Sequence, residues 1–461
     1  MLSVHSLAPL MAPLMTAPRW LVAFSGGLDS AVLLHLLTQL QQQQLKQRPQ
    51  LRLPVLQAIH IDHQLHPDSA SWAQHCCAQA QALAVPIAVH QVDTMAYDRG
   101  SIEQRARRAR YQVFEAVLEP DDILLMAHHR DDQVETVLLR LLRGSGSRGL
   151  AAMPAARPLG AAQLMRPLMA TPRAALERYA REHELQWVED PSNASELYDR
   201  NFLRLQVLPL LASRWPAYGT TLARAATLSE ESALLNAELA ELDLIQLRVA
   251  GGATLAVAPL IKLSPSRQKN VLRHWLAQQQ LATPSAAQLQ VALAEVVGAG
   301  DDAQPLLQWT SADGQQAQLR RFGGALYAFP APLPIDTLAN YRWDLLAPLT
   351  IPELGLLSLE PCDHGGLDRT VLAAAKTVEL RFRRGGERCR PSGRAHSQSL
   401  KKLLQEYRVE PWLRNTTPLL YLDGELAAAV GYWVCADYAA AGAGLEIHCR
   451  GQRAEQRITQ R

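Results

Sequence analysis

Two serines, two glycines and an aspartate stand in one hexapeptide, Ser25-Gly26-Gly27-Leu28-Asp29-Ser30, in an order that suits an anion site. Glycines let a phosphate approach the main chain, N–H groups at a helix start carry the positive end of its dipole, and two hydroxyls add donors. Asp29 is misplaced against a bare phosphate but well placed if Mg²⁺ lies between them, because that ion is held by one or two carboxylates plus phosphate oxygens. No Lys follows the glycines, which excludes the Gly-Lys-Ser/Thr phosphate loop. Further on, His60, Asp62 and His63 close an apolar run that gives them no packing reason to exist. Asp132 and Glu135, three residues apart, share a helix face. Carboxylates so placed either serve the helix dipole or bind a cation, Mg²⁺ or an ammonium group.

These residues need a frame, and the apolar pattern predicts one. Trp20 to Phe24 is a continuous apolar run of the kind that forms a buried parallel strand, and Ala31, Val32, Leu33, Leu36, Leu37 and Leu40 supply the helix after the glycines. Further strands are predicted over Pro54 to Asp62, Val85 to Val92 and Ile123 to Ala127, separated by helices over Asp68 to Leu83, Ser101 to Leu118 and Asp131 to Leu142. Such alternation means βαβ units and a parallel sheet, whose ligands bind at the carboxyl ends of the strands. That rim gathers residues 25–30, 60–63 and 128–132. The helix capped by Ser101 carries Arg105, Arg107, Arg108 and Arg110, which are either solvated or suited to phosphates. Arg143 to Leu150 is predicted to be a mobile, basic, glycine-rich loop. Thr171-Pro172 starts a helix to Glu184, Asp190 to Asn193 is a turn, and Arg200 to Arg204 enters another helix.

A chain of 461 residues exceeds one typical core, so two or three domains are expected. The apolar and charged fractions, 48% and 20%, are those of an ordinary globular protein. The most apolar stretch, Leu419 to Ala441, is broken by Asp423, Glu425 and Asp437, which argues against a membrane span. No Lys or Arg occurs among the first 18 residues, so no signal peptide is expected and the cytoplasm is the expected compartment. Cys76, Cys77, Cys362, Cys389, Cys435 and Cys449 show no Cys-x-x-Cys spacing, and reduced structural thiols are expected. Residues 381–408 hold nine Lys or Arg against two acidic residues, a surplus of seven on a chain whose net charge is only +2. A local excess of this kind suggests a polyanionic partner.

The hexapeptide resembles the signature of the PP-loop ATP pyrophosphatases, which split ATP into AMP and pyrophosphate and place AMP on a carbonyl oxygen. Seven further motifs narrow the resemblance: HIDH at 60–63, RARRARY at 105–111, AHHRDDQVET at 127–136, RGSG with GLAAM at 143–153, RPL at 166–168, EDPSN at 189–193 and RNFLR at 200–204. Their order is similar to that of the tRNA(Ile)-lysidine synthase family. Gln64, His66, Ser101 and Gln104 depart from the family's usual residues. The segment from Arg394 through Lys401-Lys402 to Arg414 is similar to the C-terminal tRNA-contacting domain of its longer members.

The resemblance implies an α/β fold: a parallel-sheet PP-loop catalytic domain over 1–215, a mainly helical domain over 216–335 and a small α+β, basic tRNA-binding domain over 336–461, joined by a proline-rich linker at 329–334. It implies ligation of free L-lysine to C2 of the wobble cytidine of a CAU anticodon, with ATP and Mg²⁺. Asp29, Asp62, Asp132 and Glu135 become the catalytic residues. Ser25 to Ser30 and His60 bind ATP, Asp29 takes the metal, and Asp132 and Glu135 take lysine. Arg105, Arg108, Arg143, Arg200, Arg204, Arg383, Arg384, Lys401 and Lys402 contact tRNA. Three other readings compete. A tRNA thiolase needs paired cysteines or a cluster, an ammonia-using synthetase leaves the basic segment without a task, and a non-catalytic RNA-binding protein leaves the hexapeptide unexplained.

Overall fold

A computed structural model describes residues 2–94, 101–249, 253–300, 303–311 and 314–451, with nothing described of the side chains of 193 and 194. The chain divides into two compact units, Met1–Asn236 and Ala237–Arg461.

In the first unit the predicted alternation becomes β1 (Arg19–Ala23), β2 (Val55–Asp62), β3 (Ile87–Gln91), β4 (Ile123–Leu125), β5 (Ala156–Leu159) and β6 (Ala162–Met165). They form one six-stranded sheet in the order β3-β2-β1-β4-β6-β5, parallel except for the β5 edge. The accompanying helices are α1 (Val4–Met11), α2 (Leu28–Gln47), α3 (Ser69–Ala82), α4 (Ile102–Val117), α5 (Arg130–Leu142), α6 (Ser147–Leu150) and α7 (Arg173–Glu182). Successive strand residues point to opposite faces, and β1 shows it: Trp20, Val22 and Phe24 pack with α2 and α7, and Leu21 packs with Phe114 of α4 on the other side. Helices therefore cover both faces, which is why β1 is apolar from Trp20 to Ala23, after Arg19 at its start. The order reverses at β1, with β2 on one side and β4 on the other, so the loops after β1 and β4 flank a crevice at the strand ends.

The α7 boundary differs slightly from expectation. Pro172 is extended at φ −72° and ψ 147° and serves as the residue before the helix, not its first turn. The RNFLR motif enters α8 (Asp199–Phe202), passes through a π-helical segment at Leu203–Val207 and continues as α9 (Leu208–Arg214). Next comes α10 (Tyr218–Leu247), within which the division between the units falls.

The helices of the second unit carry a sheet that the sequence pattern did not announce. Short strands β7 (Thr254–Ala256), β8 (Leu306–Thr310), β9 (Gln316–Phe322) and β10 (Ala325–Pro330) pair in the order β7-β10-β9-β8. Trp275, Trp309, Leu319 and Leu326 pack against this sheet. Phe329 and Pro330, expected in the linker, belong to β10, where Pro330 stands last in the strand opposite Ala317 and the Ala331 N–H just beyond it donates to the Gln316 carbonyl at 2.8 Å. Trp412 packs on this hairpin, with ring centroids 5.2 Å from Tyr327 and 5.9 Å from Phe329 and the Arg320 guanidinium 5.3 Å from the Trp412 ring. The C-terminal part adds five- and three-stranded sheets, both antiparallel. One cysteine expectation is corrected: Cys389 and Cys435, 46 residues apart, form a disulfide across 6.0 Å between Cα atoms, a proximity that no sequence spacing reveals. Among the described residues no helix is long and apolar enough to cross a membrane.

Candidate active site

The turn between β1 and α2 is held from both sides. Gly26 has φ +80°, and a Cβ there would lie 2.7 Å from Cys76 Sγ, so only glycine fits. Its carbonyl accepts a hydrogen bond from the Val188 N–H at 2.9 Å. Gly27 differs, because a Cβ there would meet only ordinary contacts at 3.5 Å and beyond. It caps the 20-residue α2 without a side-chain hydrogen bond, which leaves the N–H groups of the first turn directed at whatever occupies the crevice. Ser25 and Ser30 face each other at 3.1 Å between hydroxyl oxygens, and the Ser30 hydroxyl donates to the Gly27 carbonyl at 3.0 Å.

Asp29, in the first turn of α2, meets the loop after β4. The fully buried His129 caps α5: its Nδ1 accepts from the Asp131 N–H at 3.2 Å, so a proton on the ring sits at Nε2. That Nε2 lies 3.5 Å from an oxygen of Asp29 and 3.5 Å from one of Asp132. Burial works against the imidazolium, but the two carboxylates, Asp29 foremost, outweigh it and raise the His129 pKa. Burial likewise opposes the Asp132 carboxylate, yet His129 and Arg200 hold its pKa below the ordinary value. Arg173 stands 3.6 Å from Asp29. The second oxygen of Asp29, Oδ1, is buried with no hydrogen-bond partner. A sealed carboxylate oxygen of this kind is suited to a cation. Among the described residues no group of three His, Cys, Asp or Glu side chains could hold a metal, so a divalent ion here would take Asp29 together with oxygens of a bound phosphate.

A cavity of about 450 Å³ opens beside this cluster. Ser25, Asp29, Ser30 and Asp132 reach it, and Phe24, Ile59, Ile61, Phe114 and Met126 give it an apolar wall. Period-two alternation of β2 decides what that strand contributes. Ile59 and Ile61 face the cavity, whereas His60 and Asp62 point to the opposite face. His60 there meets the Phe24 carbonyl at 2.9 Å and Cys76 Sγ at 3.4 Å, and Asp62 accepts from the Gln64 N–H at 2.9 Å. His60, expected in ATP binding, and Asp62, expected in catalysis, thus brace the loops from behind in this geometry.

Glu135 is placed apart from the cavity. Its carboxylate is fully buried and does not line the cavity; Arg200 Nε donates to it at 2.7 Å and Arg204 Nε at 2.7 Å. An ammonium would have to displace a guanidinium to reach it. Arg200 itself lines the cavity, so Glu135 positions a group that does.

Other lining residues were missed or only half-seen. The face of α4 carrying Glu103, Ala106, Arg107, Arg110 and Phe114 lines the cavity, and this is a helical period readable within RARRARY. Arg105 and Arg108 lie off that face. His63 and His128 also line it. Burial is the main cause that lowers the His63 pKa to about 4 and the His128 pKa to about 3. The Arg166 Nε–H donates to His128 Nδ1 at 3.2 Å, so that nitrogen carries no proton.

The remaining expected tRNA contacts are distributed over both units. Arg143 is exposed, 3.8 Å from Asp199. In the second unit Arg384 donates to the Leu338 carbonyl and to Asn340, Lys402 lies 3.8 Å from Glu406, Lys401 is exposed and Arg383 is partly so. Two further cations of this segment, Arg381 and Arg390, pair with Glu379 and Asp437, which lie outside it and reduce its surplus.

Comparisons with known proteins cover most of the chain. The PP-loop domain family matches residues 3–211, the TilS substrate binding domain 255–327 and the TilS substrate C-terminal domain 378–449. A tRNA(Ile)-lysidine synthase of Alkalilimnicola ehrlichii is 42% identical over 93% of this chain and 92% of its own. One of Coxiella burnetii is 39% identical over 91% and 90%. Among solved structures, the U34-tRNA thiolase NcsA of Methanococcus maripaludis with its [4Fe-4S] cluster aligns with TM-score 0.41 at 17% identity, over 49% of this chain and 78% of that one.

Proposed function

Because the chain belongs to the tRNA(Ile)-lysidine synthase family, we propose that it joins free L-lysine to C2 of the wobble cytidine in the CAU anticodon of tRNA(Ile), through an adenylylated cytidine. ATP transfers AMP to the C2 carbonyl oxygen with loss of pyrophosphate. The ε-amine of lysine then attacks C2 and AMP leaves.

The single observation behind this reading is that Asp29, with a buried unpartnered oxygen, and Asp132, open to the same cavity, flank one protonatable His129. The α2 N-terminus, Ser25 and Ser30 would hold the phosphates of ATP, and Arg173 would meet charge that develops on the leaving pyrophosphate. Asp29 would hold Mg²⁺, which when bound supplies charge neutralisation at the phosphates. Asp132 would receive the lysine ammonium and help it lose a proton, since an ammonium has no lone pair with which to attack. Glu135 would act through Arg200 and Arg204, keeping Arg200 at the cavity wall. A base in a single-stranded loop can be turned into such a cavity at little unpairing cost. Arg105, Arg108, Arg143, Arg383, Arg384, Lys401 and Lys402 would meet tRNA phosphates. The domain division at about 215 and 335 would set catalysis apart from tRNA contact.

The test is incorporation of labelled lysine into an unmodified tRNA(Ile) transcript, with and without ATP. ATP-dependent incorporation at the wobble position is expected. Sulfur incorporation, or activity with ammonia in place of lysine, would sink the reading.

A further inference from the structure

Three arginines line the cavity. Arg107 reaches the Tyr111 hydroxyl at 3.4 Å and stacks 4.9 Å from its ring, and Arg200 is bound to Glu135. Arg110 is different. Among the described residues it has no hydrogen-bond or ion-pair partner, and its Nε is sealed from solvent. Its strongest electrostatic neighbour is another cation, Arg107; Tyr111 and the Glu103 carboxylate favour its charge, and Arg200 adds a second like charge. Burial foremost, with Arg107 and Arg200, outweighs Tyr111 and Glu103 and lowers the guanidinium pKa. A fold that keeps a desolvated cation beside like charges loses stability, unless an anion from outside completes the site.

The anion can be narrowed by place. Phosphates already have the α2 N-terminus, two serines and Arg173 on the Asp29 side. Arg110 belongs to α4, on the other face of the sheet, and its charge acts on His63 and His128. His128 in turn feels Asp132, which is proposed above to meet the ammonium. The cavity is therefore bipolar, and a free amino acid with a cationic side chain is bipolar in the same sense.

We propose that Arg110 binds the α-carboxylate of the incoming amino acid and so sets the specificity for lysine over amines that lack a carboxylate. This rests on the lysidine reading above. The guanidinium presents planar paired donors that match a carboxylate, and the apolar wall of Ile61, Phe114 and Met126 lies beside it for a methylene chain. An amine such as cadaverine carries the same nucleophile and leaves Arg110 unpaired.

The experiment uses the full chain, ATP and unmodified tRNA(Ile) transcript, with lysine and cadaverine as competing nucleophiles. In Arg110→Met the ratio of kcat/KM for lysine to that for cadaverine should fall by about 10- to 100-fold, the range of a charge-assisted contact. Arg110→Lys keeps the charge but not the paired donors, and its ratio should fall between the two. Because the removed group has no partner, Arg110→Met should melt no lower than wild type. An unchanged ratio overturns the proposal, as does a raised KM for ATP with the wild-type ratio, which would assign Arg110 to phosphate. A Met variant that does not fold also overturns it, by showing a structural arginine. Pyrophosphate release by the wild type from ATP and tRNA without lysine is measured in parallel. Its absence would fault the lysidine reading itself, whatever the ratio.

Discussion

Arg200 and Arg204 share one carboxylate that water does not reach, whereas Arg390 and Arg394 meet carboxylates that water touches. Glu135 has 0% side-chain exposure, against 73% for Asp437, the partner of Arg390, and 32% for Glu406, the partner of Arg394. The same residue type therefore serves two ends. Around Glu135 the guanidinium groups are fixed in place, because breaking either contact leaves a charge buried alone. In the basic segment the pairs contribute little to stability and can exchange their carboxylates for phosphates. Fixed charge suits chemistry on one atom. Exchangeable charge suits a large polyanion.

Asp29→Ala should produce the largest effect on the fixed side, a fall of about 10³-fold in pyrophosphate release, the range seen when one preorganised electrostatic contact is lost. Binding of tRNA should change little. Pyrophosphate release at the wild-type rate would remove Asp29 from the chemistry.

Glu135→Gln should destabilise the catalytic unit by about 3 kcal/mol, the lower end for a broken buried pair because both arginines keep some access to water. Denaturant unfolding measures it, and a cost under about 1 kcal/mol would mean that the buried pair behaves like the exposed ones. The same variant should slow the lysine step through a displaced Arg200.

Reversing Arg383, Arg384, Lys401 and Lys402 to Glu tests the exchangeable side. If the segment meets three or four phosphates, each contributing about −0.7 to −0.9, the slope of log affinity against log salt should flatten by roughly 2 to 4. The melting temperature should hardly move. Persistence of both tRNA affinity and salt slope would show that the segment does not bind tRNA through these side chains.

The smallest effect concerns His63, whose folded pKa is about 4 against 6.5. Between these values the unfolded chain takes up a proton that the folded one refuses, so stability falls as pH drops through that window. Screening by the open side of the cavity limits the loss to about 1–2 kcal/mol. His63→Gln should remove this part of the slope between pH 6.5 and 4.5 in unfolding experiments. An unaltered slope would show that His63 titrates normally.

Short-range order was legible in the chain. The strand before Ser25, the glycines and the helix after them depend on neighbouring residues alone, and β2, α4 and α5 ended within a residue or two of expectation. Gly26 was readable as a turn glycine, but the Cys76 sulfur that forbids any other residue lies 50 positions away. The cavity-facing stripe of α4 was within reach of a helical wheel and was hidden by the density of arginines around it.

What the sequence by itself determined is the order of elements and the rim at which the polar motifs collect, because strand and helix periodicity act over a few residues and the sheet's topology follows from their alternation. Only the tertiary structure decided which side chains at that rim face the cavity. Alternation sends His60 and Asp62 behind β2 while Ile59 and Ile61 face forward, a choice set by which sheet face each helix covers. The partners of Glu135 stand 65 and 69 residues away, and the disulfide spans 46. Such contacts are fixed by the packing of whole layers, since a buried charge takes whatever counter-charge the fold brings within reach.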